Sequence, residues 1–112
     1  RIVVSVPNVA HADVRIALAS GRWNYRDTGI LDRTHLHFFT AARLRAAATQ
    51  AGLDVIEQRA TQLPRGASVN AVPWDLDVDD ARQSPAPPTV LDIVDSDPDA
   101  DVHVLTWALR PR

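Results

Sequence analysis

Ile2-Val3-Val4-Ser5-Val6-Pro7-Asn8 is the stretch that decides the fold class of this chain. Four of its first five residues are apolar, and all four are β-branched. A short, nearly continuous apolar run of this kind is typical of a strand in an α/β sheet covered on both faces. The dipeptide Pro7-Asn8 ends the strand, because Pro has no N–H to donate to a neighbouring strand and Asn favours turns.

Two helices are predicted downstream of this strand. Apolar residues at helical spacing indicate a short helix over residues 12–20, with Gly21 as its C-terminal cap. A second helix is predicted over residues 41–51, where Thr40 is a good N-cap and Gly52 closes the helix. The connection between them is long and rich in aromatic and His residues, which is typical of an ordered, functional loop.

The second half of the chain contains two further predicted strands, at residues 53–60 and 102–109. The last strand is apolar on both faces, so we expect an interior position in the sheet. Residues 63–88 hold five of the eight prolines and the acidic run 75–80, which indicates a surface excursion. A short helix over about residues 88–94 follows it. The whole chain, 1–112, is expected to form a single, partial α/β domain.

Composition narrows the function classes. The chain has 112 residues, a net charge of -2 and no cysteine. A net negative charge does not favour a broad nucleic-acid surface, and the lack of cysteine excludes disulfides and cysteine zinc sites. The apolar runs are too short for a membrane span, and no secretory leader is recognisable. We therefore expect a cytoplasmic protein without nucleic-acid or membrane partners.

Three segments carry a family resemblance. They are VSVPNVAH at residues 4–11, GRWNY at residues 21–25 and GILDRTHLHFFT at residues 29–40. Together they resemble the C-terminal half of class I S-adenosylmethionine-dependent methyltransferase domains. The resemblance is dense over residues 1–57 and loose over the last strand. Within that superfamily the chain is similar to bacterial domains found alone or beside glycosyltransferases in surface-polysaccharide pathways.

The resemblance implies a Rossmann-like sheet in the order 3-2-1-4-5-7-6, with strand 7 antiparallel. Residues 1–6, 53–60 and 102–109 would be strands 5, 6 and 7. The fold expected for this chain is therefore a partial methyltransferase fold: a three-stranded mixed sheet in the order 5-7-6 with two or three helices. Strands 1 to 4 would be absent, and with them the Gly-rich turn and the acidic residue that hold the cofactor. S-adenosylmethionine is then the cofactor of the parent enzyme, with none expected on this chain, which would be inactive alone.

Six residues in the matching segments are candidates for the acceptor site. His11 and His35 are predicted to be catalytic, since methyl transfer often needs a base. Four more are predicted to bind the small-molecule acceptor, for example a sugar: Asn8, Arg15, Tyr25 and His37. His11 follows the carboxyl end of a strand, where α/β sheets bind ligands. Both histidines also have structural alternatives: His11 as a cap of a turn, and His35 as a tie between the long loop and backbone groups.

Two other functions stay open. The chain could be a half-domain for binding or assembly that another chain completes. Alternatively, His35 and His37 are two residues apart, so on an extended segment both rings point to the same side and, with Asp32, could hold the metal of a hydrolase. We expect instead that one of these rings packs against the neighbouring phenylalanines without a metal. The apolar edge of residues 1–6 further predicts a homodimer through the sheet edge or face.

Overall fold

A computed structural model describes residues 1–70 and 89–112, and within these ranges the chain forms three strands and three helices. In chain order the elements are β1 (Ile2–Pro7), α1 (Ala12–Ala19), α2 (Ala41–Gln50), β2 (Leu53–Gln62), α3 (Thr89–Ser96) and β3 (Val102–Pro111). Each lies where the sequence predicts it, and β2 and β3 are each two residues longer than predicted. The α/β class is confirmed. Over the described residues, no helix has the length and apolar character that a membrane crossing requires.

The sheet has the order β1-β3-β2, with the last strand in the middle as predicted. The prediction of a mixed sheet is wrong, because β3 is antiparallel to both β1 and β2. β1 and β2 do run in the same direction, but β3 separates them, so no parallel pair forms. The central position is favourable for β3 because Leu105, Trp107, Ala108 and Leu109 are then all buried.

The main hydrophobic core lies between one face of the sheet and α2. Leu44 and Ala48 of α2 are buried in a cluster with Leu105, Trp107 and Leu109 of β3. Apolar residues of β1 and β2 pack around this cluster: Val4, Val6, Leu53 and Val55. A single amphipathic helix thus covers this face of the three-stranded sheet.

The other face of the sheet is more polar. Ser5 and Thr106 are partners across β1 and β3, and their hydroxyl oxygens lie 3.1 Å apart. Val3, on the same face, remains 64% exposed. Among residues 1–70 and 89–112, no strand pairs with the outer edge of β1.

The predicted helix ends are confirmed. The Thr40 hydroxyl accepts a hydrogen bond from the backbone N–H of Arg43 at 3.1 Å, as an N-cap does. Gly52 follows α2 with a φ of 72°, a left-handed conformation that glycine adopts without a steric penalty. Gly52 thereby turns the chain directly from α2 into β2.

The first residues of the predicted surface excursion pack closely against the rest of the chain. Ser68 and Asn70 are both buried. Gly29 has a φ of 90°, and a Cβ placed there would lie 2.3 Å from Cγ2 of Val69. This approach leaves no room for a larger residue at Gly29. Residues 71–88 of the excursion, including the acidic run 75–80, lie outside the described residues.

Candidate functional site

Asn8 lies at the carboxyl end of β1 and is 1% exposed. Its amide nitrogen donates to the carbonyl oxygen of Val102 at 2.9 Å, and its carbonyl oxygen accepts from the N–H of Ala10 at 3.1 Å. The backbone N–H of Asn8 donates to the backbone carbonyl oxygen of His103 at 2.8 Å. These bonds fix the turn between β1 and α1, so the structure places this predicted substrate-binding side chain inside the protein.

His11 is completely buried and is the N-cap of α1. Its Nδ1 accepts a hydrogen bond from the backbone N–H of Asp13 at 3.1 Å. Nδ1 therefore carries no proton, and Nε2–H donates to the carbonyl oxygen of Leu63 at 2.6 Å. Because both ring nitrogens are bonded within the chain, His11 could serve as a base only after one of these bonds breaks. The structure gives it the capping role that the sequence left open.

A second histidine lies next to His11. The ring of His103 is 6.4 Å from that of His11, edge to face. Burial lowers the pKa of His103, and the nearby His11 lowers this pKa further. A charged imidazole is therefore disfavoured at His103.

Asp13 is a buried residue that the sequence reasoning did not single out. It is 3% exposed, and its two carboxylate oxygens accept from the backbone N–H groups of Gly66 at 2.8 Å and Ser68 at 3.1 Å. Asp13 thus holds the segment after β2 against the start of α1. The available sequence signal was its place in the first turn of a predicted helix, where a carboxylate is favourable.

The other predicted acceptor-binding residues have different environments. Arg15 donates from Nη1 to Oδ2 of Asp97 at 2.6 Å, so it links α1 to the segment after α3. Tyr25 is 51% exposed, and His37 is exposed as well. Of these three, Tyr25 and His37 therefore have side chains accessible to a small molecule.

His35 is oriented by a tight turn that begins at Asp32. Oδ1 of Asp32 accepts from the N–H of Thr34 at 2.8 Å and from its hydroxyl at 2.7 Å. These bonds from Thr34, followed by the charges of His35 and Arg33, hold the pKa of Asp32 below its usual value. The N–H of His35 in turn donates to the carbonyl oxygen of Asp32 at 3.0 Å. The Asp-Arg-Thr-His string therefore encodes a local turn that fixes the position of the imidazole.

In the described part of the chain, one of the two imidazole nitrogens of His35 is hydrogen bonded. Nδ1 lies 3.0 Å from the carbonyl oxygen of Ile30. A carbonyl oxygen accepts, so Nδ1 carries the proton and a neutral ring keeps its lone pair on Nε2. Within the described chain, no residue is hydrogen bonded to Nε2. Unlike His11, His35 therefore has a nitrogen that could accept a proton.

This imidazole belongs to an aromatic cluster that consists of Trp23, Tyr25, His35 and Phe38. The ring of Phe38 is central: its centroid is 5.4 Å from Trp23, 6.3 Å from Tyr25 and 6.4 Å from His35. The contact between His35, which is half-buried, and Phe38 fits the prediction that one histidine ring packs against a neighbouring phenylalanine. Trp23, Phe38 and Val9, just beyond β1, all pack against the buried Val14, Ile30 and Leu31, and the N–H of Val9 donates to the carbonyl oxygen of Phe39 at 2.9 Å. The cluster thus lies at the carboxyl end of β1.

No family model and no curated protein matches this chain. The function must therefore be argued from the geometry of its own residues.

The structure separates the two predicted catalytic histidines. His11 is bonded inside the protein, whereas His35 belongs to the half-exposed aromatic cluster. In the ranges that the structure describes, no group of three His, Cys, Asp or Glu side chains is arranged to hold a metal ion. The roles predicted for the six site residues stay predictions, and two of these residues, Tyr25 and His35, belong to the aromatic cluster.

Proposed function

We propose that this chain is the C-terminal, acceptor-side portion of an S-adenosylmethionine-dependent methyltransferase acting on a small molecule such as a sugar. The observation that carries the proposal is His35, whose Nδ1 is fixed by Ile30 while Nε2 has no bonded partner in the described chain. Tyr25 exposes half of its surface in the same aromatic cluster. A positioned base in the same cluster as an accessible aromatic side chain suits an acceptor hydroxyl that must lose a proton.

The sheet supports the same proposal. A central last strand, antiparallel to both neighbours, is what the resemblance to methyltransferases implies for strands 5, 7 and 6. In that arrangement the outer edge of β1 would pair with a strand of the cofactor-binding half. The proposal places the protein in the cytoplasm, in keeping with a chain that contains no cysteine.

The chemistry assigned to this chain is binding and proton removal. The cofactor would supply an electrophilic methyl group when bound to the other half. Nε2 of His35 would take the proton of the acceptor hydroxyl as the oxygen attacks, while Tyr25 and His37 bind the rest of the acceptor. Holding the acceptor oxygen in line with the methyl group accounts for a large part of such a rate enhancement.

The 112-residue chain alone is expected not to bind S-adenosylmethionine with a Kd tighter than about 100 μM. Its four glycines stand at positions 21, 29, 52 and 66 and form no Gly-x-Gly cluster that could approach the cofactor. Isothermal titration calorimetry measures this directly. One-site binding tighter than that limit would show that the cofactor site has been assigned to the wrong half.

The proposed function itself is tested by methyl transfer in the intact gene product that contains this chain. With a methyl-labelled cofactor and a panel of sugars, His35→Gln is expected to lower kcat about 10²–10⁴-fold, the usual contribution of a general base. Arg33→Gln is the matched control, because the Arg33 side chain lies in the same turn but is 64% exposed, and within the described residues it forms an ion pair only with the exposed Asp27. Unchanged turnover in His35→Gln, or an equal loss in both variants, would remove His35 from the mechanism.

A second candidate function is an assembly half-domain, and the exposed edge of β1 favours it. Ile2 is 44% exposed and Val3 is 64% exposed, and no described strand covers this edge. An apolar strand edge is a template for pairing with another chain. We propose that the chain, when alone, forms a two-fold dimer in which β1 pairs with its own copy.

Val3→Lys is expected to shift such a dimer toward monomer, since a lysine on an edge strand disfavours edge-to-edge pairing. Thr61→Lys is the matched control: Thr61 is exposed on the opposite edge strand, β2, and lies on the same face of the sheet as Val3. Sedimentation velocity separates monomer from dimer. At a chain concentration of about 100 μM it detects a dimer whose Kd is about 100 μM or tighter. A strictly monomeric wild-type chain would contradict the dimer.

A further inference from the structure

The peptide unit between Ile30 and Leu31 is hydrogen bonded at both of its ends. Its carbonyl oxygen lies 3.0 Å from Nδ1 of His35, the contact that places the proton of the neutral ring on Nδ1. Its N–H donates to Oδ1 of Asn70 at 3.1 Å. Because a peptide unit is planar, the direction of its N–H also sets the direction of its carbonyl group. The side chain of Asn70 is thus connected to the imidazole of His35 through a single peptide unit.

Burial makes the bond to Asn70 important for the orientation of this peptide unit. Ile30 is 0% exposed and Leu31 is 2% exposed, and a buried N–H that has no acceptor is costly. Without this bond, rotation about the two torsion angles that flank the unit would turn its carbonyl away from His35. Both apolar side chains could stay in the core during that rotation. The bond from the Leu31 N–H to Asn70 therefore opposes a movement that core packing alone permits.

Asn70 is itself held in place. It is 6% exposed, and its backbone N–H donates to Oγ of Ser68 at 3.0 Å. The backbone N–H of Ser68 in turn donates to Oδ2 of Asp13, in α1, at 3.1 Å. The orientation of the Asn70 carboxamide is also defined, because the Leu31 N–H requires an oxygen as its acceptor. The acceptor oxygen is therefore fixed relative to the start of α1.

We propose that Asn70 is a positioning residue that acts through the Ile30–Leu31 peptide unit and holds His35 in the tautomer protonated on Nδ1. The inference rests on the proposed function of His35, since a neutral ring accepts a proton at Nε2 only in this tautomer. The hydrogen bond at one ring nitrogen of a histidine sets the protonation of the other. The two bonds also strengthen each other, because a peptide unit that donates through its N–H becomes a better acceptor at its carbonyl.

Nitrogen NMR of the histidine side chains tests the proposal in the 112-residue chain and needs no methyl transfer. At about pH 9, above the range in which histidine usually titrates, wild-type His35 is expected to carry its proton on Nδ1. Asn70→Ala is expected to shift the ratio of the two tautomers on the order of fivefold toward the Nε2–H form, the effect of one hydrogen bond. The Leu31 amide is expected to exchange faster in the same variant. Turnover of His35→Gln is a separate experiment, so the two proposals fail independently.

Two further variants separate positioning from a general loosening of the loop. Asn70→Asp keeps the acceptor oxygen and replaces Nδ2, which has no hydrogen-bond partner within residues 1–70 and 89–112. This variant is expected to retain the wild-type tautomer and slow exchange at Leu31. Val69→Ala is the matched control, since it shortens the half-exposed neighbouring side chain beside Gly29 and leaves the carboxamide intact. An unchanged tautomer ratio in Asn70→Ala, or an equal shift in Val69→Ala, would overturn the role of Asn70.

Discussion

The Trp107→Ala chain is expected to lose about 3–5 kcal/mol of unfolding free energy, the usual cost of removing a buried tryptophan side chain. Trp107 is 1% exposed and lies on the central strand, in register with Val4 of β1 and Gln58 of β2. It also contacts the only helix that packs on this face in the described chain. Its removal would open a cavity at the point where all of these elements meet.

Urea unfolding followed by far-UV circular dichroism measures the effect. Because small domains are stable by only about 5–15 kcal/mol, this loss is a large share of the total, and the urea midpoint of the variant is expected to fall markedly. Trp107→Phe keeps an aromatic ring in the core and is expected to be clearly less destabilising. Arg45→Ala removes the cation–π partner alone, at a cost of about 0.5–1 kcal/mol. A Trp107→Ala chain within 1 kcal/mol of the wild type would contradict a main core built on β3.

The sequence was a reliable guide where the deciding interactions are local. Thr40 caps α2 through the N–H of Arg43, three residues away, and Gly52 ends that helix through its own left-handed backbone. The β-branched run of β1 and the two apolar faces of β3 likewise reflect their immediate environment. These signals were sufficient to predict the strands and helices and the central position of β3 in the sheet.

Contacts between distant residues could not be predicted in the same way. The order of the strands and the antiparallel direction of the last strand followed from a resemblance. A mixed sheet was wrongly expected, because β1 and β2, which run in the same direction, are not neighbours. The register shift at Ile56 of β2 leaves no sequence signal either. These features are decided by packing between segments rather than by the residues around each one.

The candidate site shows the same difference between local contacts and contacts of residues far apart in the sequence. The turn from Asp32 to His35 is local, and His35 ties the long loop to the carbonyl oxygen of Ile30, the structural alternative that the sequence had left open. His11 had two possible roles in the sequence, a base or a cap. Its second partner, Leu63, lies 52 residues away, and no periodicity could have indicated that this contact would occupy the other ring nitrogen.

Asp13 is the second position at which a large effect is expected. Its carboxylate is buried and accepts the N–H groups of Gly66 and Ser68. Asp13→Ala leaves both donors without these partners, at about 1–3 kcal/mol for each buried donor that finds no replacement. Water can reach part of the exposed segment at Gly66, so we expect a total loss of about 2–4 kcal/mol in unfolding free energy.

The location of this loss distinguishes it from a general weakening of the core. Amide hydrogen exchange of Gly66 and Ser68 is expected to accelerate in Asp13→Ala before exchange in β3 does, because local opening of this segment then becomes easier. Asp27→Asn is the control, since the Asp27 side chain is 85% exposed and pairs with an exposed arginine, and its effect should stay within about 0.5 kcal/mol. Unchanged protection of Gly66 and Ser68 in Asp13→Ala would mean that other contacts hold this segment to α1. If protection from exchange is lost at the amides of Gly66 and Ser68 while β3 stays protected, Asp13 is the residue that holds the segment after β2 against the start of α1.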